Sequence, residues 1–140
     1  MEGSSPARLY ATLVGGALVI VGIIGFFYSS AFNTQEADVD NAFGILAVNG
    51  WRNVVHIVTG ALGLLAAGYA ARTYALGLGA VYLVVAAWGF IVGDGGFILG
   101  FIPVNTEDNV LHLLLGLLGV GAGAATPAAA GPAAPAATEP

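Results

Sequence analysis

The sequence lacks cysteine and lysine entirely, and only 8% of its 140 residues are charged. Without cysteine, the chain can form no disulfide, thiolate metal site or thiol nucleophile. Without lysine, it can form no Schiff base, which excludes a retinal-binding rhodopsin. A soluble domain normally has roughly 25% charged residues. This chain therefore has too few charges to cover a water-facing surface.

Basic residues are also scarce, with three arginines against eight carboxylates and a net charge of −5. Because nucleic-acid-binding proteins use basic side chains to neutralise phosphates, this composition excludes nucleic acid as a partner. The chain is instead rich in hydrophobic residues, at 58%, and contains 22 glycines. That combination is typical of helices that face lipid and pack closely against one another.

Four apolar runs lie at residues 9–28, 53–71, 73–93 and 109–125. Each approaches the roughly 20 residues that a helix needs to cross a bilayer. The first run exceeds the roughly 7–15 residues of a signal-peptide core, so we interpret it as a membrane helix. We predict an all-α integral membrane domain with four transmembrane helices over residues 1–125. An Ala/Pro-rich tail over residues 126–140 is predicted to be disordered.

The chain contains an internal repeat, with repeat one over about residues 8–71 and repeat two over about residues 72–125. Arg8 and Tyr10 recur 64 residues later as Arg72 and Tyr74, and an Asn-Val-x-His element occurs twice, 56 residues apart. Two tandem helical hairpins of two spans each have the same orientation in the membrane. The repeat therefore predicts pseudo-twofold symmetry along the membrane normal.

The three arginines predict how the chain is oriented in the cell membrane. Arg8 and Arg72 flank one side of the predicted bundle, and Arg52 lies on the other side with most of the carboxylates. The positive-inside rule then predicts a multi-pass protein with both termini and the turn between helices two and three in the cytoplasm.

Glycines recur at matching positions of the second and fourth apolar runs. Gly60 and Gly63 align with Gly116 and Gly119, and Gly123 completes a Gly-x-x-x-Gly spacing. Small residues at this spacing let helix backbones approach closely where lipid offers no hydrophobic driving force. We predict that these five glycines serve helix packing.

The repeated Asn-Val-x-His element has two interpretations. Asn53 and Asn109 are suitable N-cap residues, and His56 and His112 could bond back toward the caps, so the element could simply start a helix at the outer interface. Alternatively, the two histidines lie at equal depth on two parallel, diagonal helices. Facing neutral imidazoles can bind haem iron or a small ligand such as a quinone. Both interpretations remain open from the sequence.

One matched position differs in charge between the repeats, with Arg52 in the first and Asp108 in the second. We predict that Arg52 contacts Asp108 or its neighbour Glu107 across the pseudo-twofold, which would close the outer mouth above His56 and His112. The alternative is that Arg52 faces water or lipid headgroups, because exposed ion pairs gain only about 0–1 kcal/mol.

Two short apolar segments, residues 44–49 and 100–105, lie outside the main runs and are too short to cross a bilayer. They are predicted to be interfacial or re-entrant pieces. Asp94 is the only carboxylate that the pattern places near a membrane helix, at its end, so a carboxylate proton relay is not predicted.

Each half contains an Asn-Val-x-His-x-x-x-Gly-x-x-Gly element preceded by Gly-x-x-x-Val-Asn. Over about residues 7–125, these paired motifs make the chain resemble a four-helix membrane family of prokaryotes known as domain of unknown function 4383. The resemblance implies a bacterial or archaeal membrane location and no assigned activity. The chain departs from an equal repeat at Trp51-Arg52, where the second copy has Glu107-Asp108.

No constellation of residues indicates catalysis, so we predict that the protein is not an enzyme and requires no metal or cofactor. The expected role is structural or accessory: binding a partner membrane protein, a second copy or lipid through the glycine-rich faces or outer loops. The alternative is a protein that binds haem, a quinone or another small ligand through His56 and His112, with Asn53 and Asn109 beside them.

Overall fold

The computed structural model describes residues 4–32, 34 and 39–128. Over these residues the chain forms four helices, α1 (Pro6–Tyr28), α2 (Gly50–Ala66), α3 (Ala71–Val92) and α4 (Thr106–Ala124). Antiparallel hairpins join α1 to α2 and α3 to α4. The first pairs β1 (Asp40–Ala42) with β2 (Leu46–Val48), and the second pairs β3 (Phe97–Ile98) with β4 (Ile102–Pro103). The chain is mostly helical, as predicted, and the order helix, hairpin, helix occurs twice.

The predicted tail lies largely outside the described residues, which end at residue 128. The hairpins lie together at one end of the helices, here called the hairpin end, and the short turn from α2 to α3 lies at the other, the turn end. α1 packs mainly along α2, and α3 along α4. α1 also contacts α3 and α4, which joins the two helical pairs.

Helices α2 and α4 begin earlier than the sequence predicted, and Asn53 and Asn109 are not their N-caps. The caps are Asn49 and Asn105, whose side-chain oxygens accept hydrogen bonds from the backbone N–H of Arg52 and Asp108, each at 2.9 Å. In each repeat two asparagines stand four residues apart. The earlier one has the extended backbone that a cap requires, so the later one falls inside the first turn.

Residues 44–49 and 100–105, predicted to be interfacial or re-entrant pieces, contain part of the turn and the second strand of each hairpin. Phe43 and Gly44 both have positive φ, as do Leu99 and Gly100. Two consecutive left-handed residues form the tight turn whose twist matches antiparallel strands. Backbone groups of these residues are therefore hydrogen-bonded within the two short antiparallel strand pairs at the hairpin end of the helices.

α1 and α3 are long and apolar enough to cross a membrane, with 23 and 22 residues. Only 33% of the most apolar 18-residue window of each helix is buried within the protein. Large apolar side chains on the remaining faces are exposed, including Leu13, Ile20, Phe27, Val84 and Ile91. Such an apolar exterior is suited to lipid rather than water.

Glycines allow the close approach within each helical pair. A Cβ at Gly60 would lie 2.7 Å from the backbone nitrogen of Val19 on α1, and one at Gly79 would lie 2.6 Å from that of Val120 on α4. Real Cβ atoms do not approach backbone this closely, so larger residues would push the helices apart. Gly116 and Gly123 meet Leu83 and Leu76 of α3 in the same way.

Tyrosines cross between the two helical pairs near the turn end. The Tyr10 hydroxyl on α1 donates to the carbonyl of Leu115 on α4 at 2.9 Å, and the Tyr74 hydroxyl on α3 donates to Thr59 on α2 at 3.0 Å. Their rings lie against Gly119 and Gly63, where a Cβ would overlap them. The predicted packing glycines thus accommodate a side chain from another helix of the same chain.

Buried asparagines fill a second pair of glycine notches at the hairpin end. Asn53 lies against Gly25 of α1 and donates to the Ser29 carbonyl at 2.8 Å, while Asn109 lies against Gly89 of α3. Both asparagine side chains are almost fully buried. A methyl group at either glycine would overlap an amide that has no free space to move into.

Replacing Gly89 with alanine should therefore lower the free energy of unfolding by about 1–3 kcal/mol, the usual cost of overpacking a filled interior. The matched control is Gly77→Ala on the same helix, where nothing lies within 4 Å of the new methyl group. That control should leave stability unchanged or raise it by up to about 1 kcal/mol. Unfolding in mixed micelles with increasing SDS measures both, and equal behaviour of the two variants would contradict the notch.

Candidate functional site

The two halves of the chain exchange hydrogen bonds at the hairpin end. The Asn49 amide, besides capping α2, donates to the carbonyl of Phe101 in the turn of the second hairpin at 2.8 Å. The Asn105 amide caps α4 and donates to the carbonyl of Ile45 in the first hairpin at 2.7 Å. Each cap therefore fixes the start of its own helix and the position of the other hairpin.

Arg52 and Asp108 form an ion pair between these exchanged hydrogen bonds. The Arg52 guanidinium donates through Nη2 to the Asp108 carboxylate, and the two side chains are 4% and 0% exposed. The contact that the sequence predicted between these residues is present, and Arg52 does not face water. Glu107, the other partner considered, is exposed one residue away.

The backbone of Ala47 completes this ion pair. Its N–H donates to the second carboxylate oxygen of Asp108 at 3.1 Å, and its carbonyl accepts from Nη1 of Arg52. Ala47 lies in β2, which has a single neighbouring strand and so needs other partners for its remaining peptide groups. A buried ion pair is stabilised by further hydrogen bonds to its charged groups, and Ala47 supplies one to each of them.

The matching position of the second hairpin is Pro103, which has no N–H to offer. An arginine has no acceptor atom, so Arg52 could not have satisfied an N–H at residue 103. Proline, at an edge strand, removes that need. The residue with a backbone N–H, Ala47, therefore faces the acceptor Asp108. Pro103, which has no N–H, is at the equivalent position of the second hairpin, and the residue that matches Asp108 in the other half is Arg52, which is not an acceptor.

The sequence suggested that Asp94 is the only carboxylate near a membrane helix. This is wrong, because Asp108 is fully buried in the first turn of α4. The Asp94 carboxylate instead accepts from the backbone N–H and the hydroxyl of Thr106, at 2.7 and 2.8 Å. It therefore helps to hold the start of α4. Of the two adjacent acids, Glu107 is exposed and Asp108 is buried. The sequence alone does not distinguish them.

The two histidines lie one turn further along their helices than the ion pair. His56 follows Arg52 on α2 and His112 follows Asp108 on α4, each by four residues, which places them on the same helix faces. Both are buried, at 8% and 6% exposure. The ring of His112 stacks on Tyr82 of α3, with ring centroids 5.1 Å apart and planes at 22°.

Two cavities have this cluster in their lining. The α1–α4 cavity, of about 240 Å³, is bounded by α1 residues such as Val14 and Leu18 and by Leu111 and Leu115 of α4. The α2–α3 cavity, of about 190 Å³, is bounded by residues such as Val55 and Leu78. The polar residues that line both cavities are Arg52, His56, Tyr82 and His112.

Two buried nitrogen atoms of this cluster have no hydrogen-bond partner within the described part of the chain. They are Nε of Arg52 and Nδ1 of His112. Arg52 Nε carries a hydrogen and can only donate, whereas Nδ1 of a neutral histidine donates or accepts according to its tautomer. Unsatisfied buried polar groups are costly and uncommon. Both atoms belong to side chains that line the two cavities, so a molecule bound there would lie next to them.

The sequence identified three of the four polar residues here and missed Tyr82. Tyr82 stands 64 residues after Leu18, so the two residues are equivalent in the repeat. An aromatic residue at a position that is aliphatic in the first copy does not by itself indicate a role in binding. Asn53 and Asn109, predicted beside the ligand, instead lie against the glycine notches of α1 and α3. Over residues 4–32, 34 and 39–128, His, Cys, Asp and Glu form no cluster of three that could hold a metal ion.

Asp108→Asn should destabilise the protein by about 3–5 kcal/mol, because Arg52 would stay charged and buried without its carboxylate. The exposed neighbour provides the control: Glu107→Gln should change stability by no more than about 0.5 kcal/mol. The free energy of unfolding in mixed micelles measures both variants.

Exchanging the charges, with Arg52→Asp and Asp108→Arg together, should not restore stability. The carboxylate would then face the Ala47 carbonyl and the guanidinium would face the Ala47 N–H, so both backbone contacts become repulsive. Recovery to within about 1 kcal/mol of the wild-type protein would show that Ala47 does not fix the direction of the pair.

Residues 8–125 match the model of a family described as a domain of unknown function, DUF4383. The match includes both hairpins, the ion pair and the two histidines, and its extent agrees with the resemblance carried by the paired motifs. No curated protein and no solved structure matches the chain. Because the match covers most of the sequence, the protein belongs to the DUF4383 family.

Proposed function

We propose that the protein is a four-span membrane protein that binds a small, lipid-soluble molecule in the cavities around His56 and His112. The observation that carries this proposal is the pair of unpartnered, buried nitrogens, Arg52 Nε and His112 Nδ1, on residues that line both cavities. Binding a ligand there would satisfy polar atoms that the protein leaves unbonded.

Helix length and surface support four spans. α2 and α4 have 17 and 19 residues, which at 1.5 Å per residue extend roughly 26 and 28 Å, close to the hydrocarbon thickness of about 30 Å. Their exposed faces are apolar as well. The large side chains there include Val58, Leu62, Leu65, Val110, Leu114, Leu117 and Leu118.

Reciprocal contacts support the proposed pseudo-twofold along the membrane normal. Asn49 binds the second hairpin as Asn105 binds the first, and Tyr10 binds α4 as Tyr74 binds α2. The residues of each pair are related by the offsets of the sequence repeat. Two tandem hairpins in parallel orientation would produce such an exchange.

We also propose that both termini are cytoplasmic and that the hairpin end faces outward. The chain has no native cysteine, so single cysteines report orientation directly. Glu107→Cys, at an exposed residue of the hairpin end, should react with an impermeant maleimide in intact cells. Arg72→Cys, at the turn end, should react only after the cells are permeabilised. The reverse pattern would invert the orientation.

The size of the cavities favours a small head group over a large cofactor. Pockets for drug-sized ligands usually have about 300–1,000 Å³, and these cavities have about 240 and 190 Å³. A haem macrocycle is therefore less suited to them than a quinone ring or a similar compact group. The apolar walls require that the rest of the ligand be lipid-soluble.

An accessory role through the glycine-rich faces is less favoured than ligand binding. Gly60, Gly63, Gly116, Gly119 and Gly123 are all occupied by contacts with helices of the same chain. They are therefore not available to a partner helix. We propose binding without catalysis, because the carboxylate next to the cluster, Asp108, is already held in the ion pair with Arg52.

The proposal is tested by identifying what co-purifies with the protein. Wild-type protein extracted with its native lipid in polymer-bounded discs should contain a small molecule enriched over the bulk membrane. His112→Phe keeps a ring for Tyr82 to stack on but removes Nδ1, and should reduce that molecule roughly tenfold, the effect of one lost hydrogen bond of about 1.4 kcal/mol. Mass spectrometry of the extracts measures the amounts.

Leu62→Ala, on the exposed face of α2, serves as the control and should leave the co-purified molecule unchanged. A wild-type extract indistinguishable from bulk membrane lipid would contradict ligand binding and favour the accessory role. An absorption spectrum of the same samples separates the remaining alternative, because a Soret band would identify haem.

A further inference from the structure

We propose that the ligand is an amphiphile with an uncharged carbonyl head, and that it reaches the cluster sideways from the lipid, between α1 and α4. This inference rests on the proposed function and adds the chemical class of the ligand and its path. It depends on three features: the kind of atom left unbonded, the closed hairpin end and the difference between the two cavities.

The unbonded atoms select an acceptor without charge. Arg52 Nε–H is a donor, so the ligand atom that faces it must accept. The charge of Arg52 is already balanced by Asp108 in a direct ion pair. An anionic head would add a second buried negative charge with no further cation among the described residues around the cavities. A carbonyl oxygen meets the donor without that cost.

The hairpin end is closed above the cluster. Arg52 and Asp108 hold the Ala47 backbone across it, and the two cap asparagines bind the opposite hairpins. Ala47 and Val48 of β2 are buried beside this network. A molecule that reached the histidines from water would have to break the exchanged bonds, whereas a lateral path would leave them intact.

The side of the bundle between α1 and α4 is open and apolar. The α1–α4 cavity is lined by Leu13 and Ala17 of α1 and Leu111 of α4, which are exposed at the protein surface. Behind them lie Leu18 and then Tyr82 with His112. The cavity thus runs from the face proposed to contact lipid to the polar cluster, so a tail could remain among lipid chains while the head reaches Arg52.

The cavity on the opposite side has the smaller volume. Leu18 on α1 and Tyr82 on α3 occupy equivalent positions of the repeat. Tyr82 lines both cavities, whereas Leu18 lines the α1–α4 cavity; their volumes are about 190 Å³ for the α2–α3 cavity and about 240 Å³ for the α1–α4 cavity. Tyr82 also stacks on His112, which holds the ring in place. The α1–α4 cavity therefore offers more room for a head group next to the cluster.

Two pairs of probes test the head group. Decyl-benzoquinone is compared with decylbenzene, and a diester glycerolipid with its diether analogue, so that each pair differs in its carbonyl groups. Native mass spectrometry of the purified protein counts bound molecules. In at least one pair, the probe with carbonyl groups should bind at least ten times more tightly than the probe without them. Which pair shows this difference distinguishes a quinone from a glycerolipid. Equal binding within both pairs would overturn the carbonyl assignment.

Substitutions at the α1–α4 opening test the path. Ala17→Phe on α1 and Leu111→Trp on α4 place bulk at its two sides, and each should reduce binding of the preferred probe at least fivefold. Ile20→Phe adds an aromatic ring to the exposed face of α1, away from the cavity, and should bind as the wild-type protein does. Thermal unfolding shows whether each variant remains folded.

Two results would overturn the lateral path. In one, Ala17→Phe and Leu111→Trp bind the probe as the wild-type protein does. In the other, Val81→Phe at the α2–α3 opening abolishes binding while Ala17→Phe does not. Either result leaves ligand binding itself standing. If the wild-type protein binds none of the four probes and co-purifies with no enriched molecule, the proposed function fails together with this inference.

Discussion

The buried ion pair between Arg52 and Asp108 is the interaction on which the hairpin end depends. Removing two charges from water costs several kcal/mol per ion unless they attract each other in good geometry and their other atoms are bonded. Asp108 gains a further bond from the Ala47 N–H and Arg52 gains one to the Ala47 carbonyl, while the Nε of Arg52 is left unbonded. The pair can therefore exist only if α2, α4 and the first hairpin are all in place, which makes the start of both helices a single cooperative structure.

The candidate site is a consequence of this arrangement. Because the guanidinium must reach Asp108 and Ala47 with its two terminal nitrogens, its Nε remains directed elsewhere and unbonded. The histidines one turn below are carried by the same helix faces and bring a second unbonded nitrogen to the cavities. The proposed ligand would thus use the remaining hydrogen-bonding capacity of a structural network.

Two identical copies of the repeat could not form the buried ion pair, so the positions at which the copies differ are important. Two arginines or two aspartates at positions 52 and 108 would bring like charges together in a buried place. The chain instead has one of each, with Ala47 and Pro103 as the matching backbone partners. Leu18 and Tyr82 are a third departure, and both residues line the α1–α4 cavity. Because of these differences, the two halves are not equivalent around the proposed binding site.

Composition and periodicity predicted a chain that is helical and apolar outside, with motifs that occur twice, because hydrophobicity, glycine spacing and repeated motifs are properties of local sequence. They also indicated Arg52, Asp108 and the histidines, since these residues occupy matched positions of the repeated motifs. Tertiary structure decided the rest. Asn49 rather than Asn53 caps α2 because its backbone is extended, Asp108 rather than Glu107 is buried because of its direction on the helix, and Tyr82 joins the site through packing. Those outcomes depend on which side chains meet across the halves, and no local pattern contains that information.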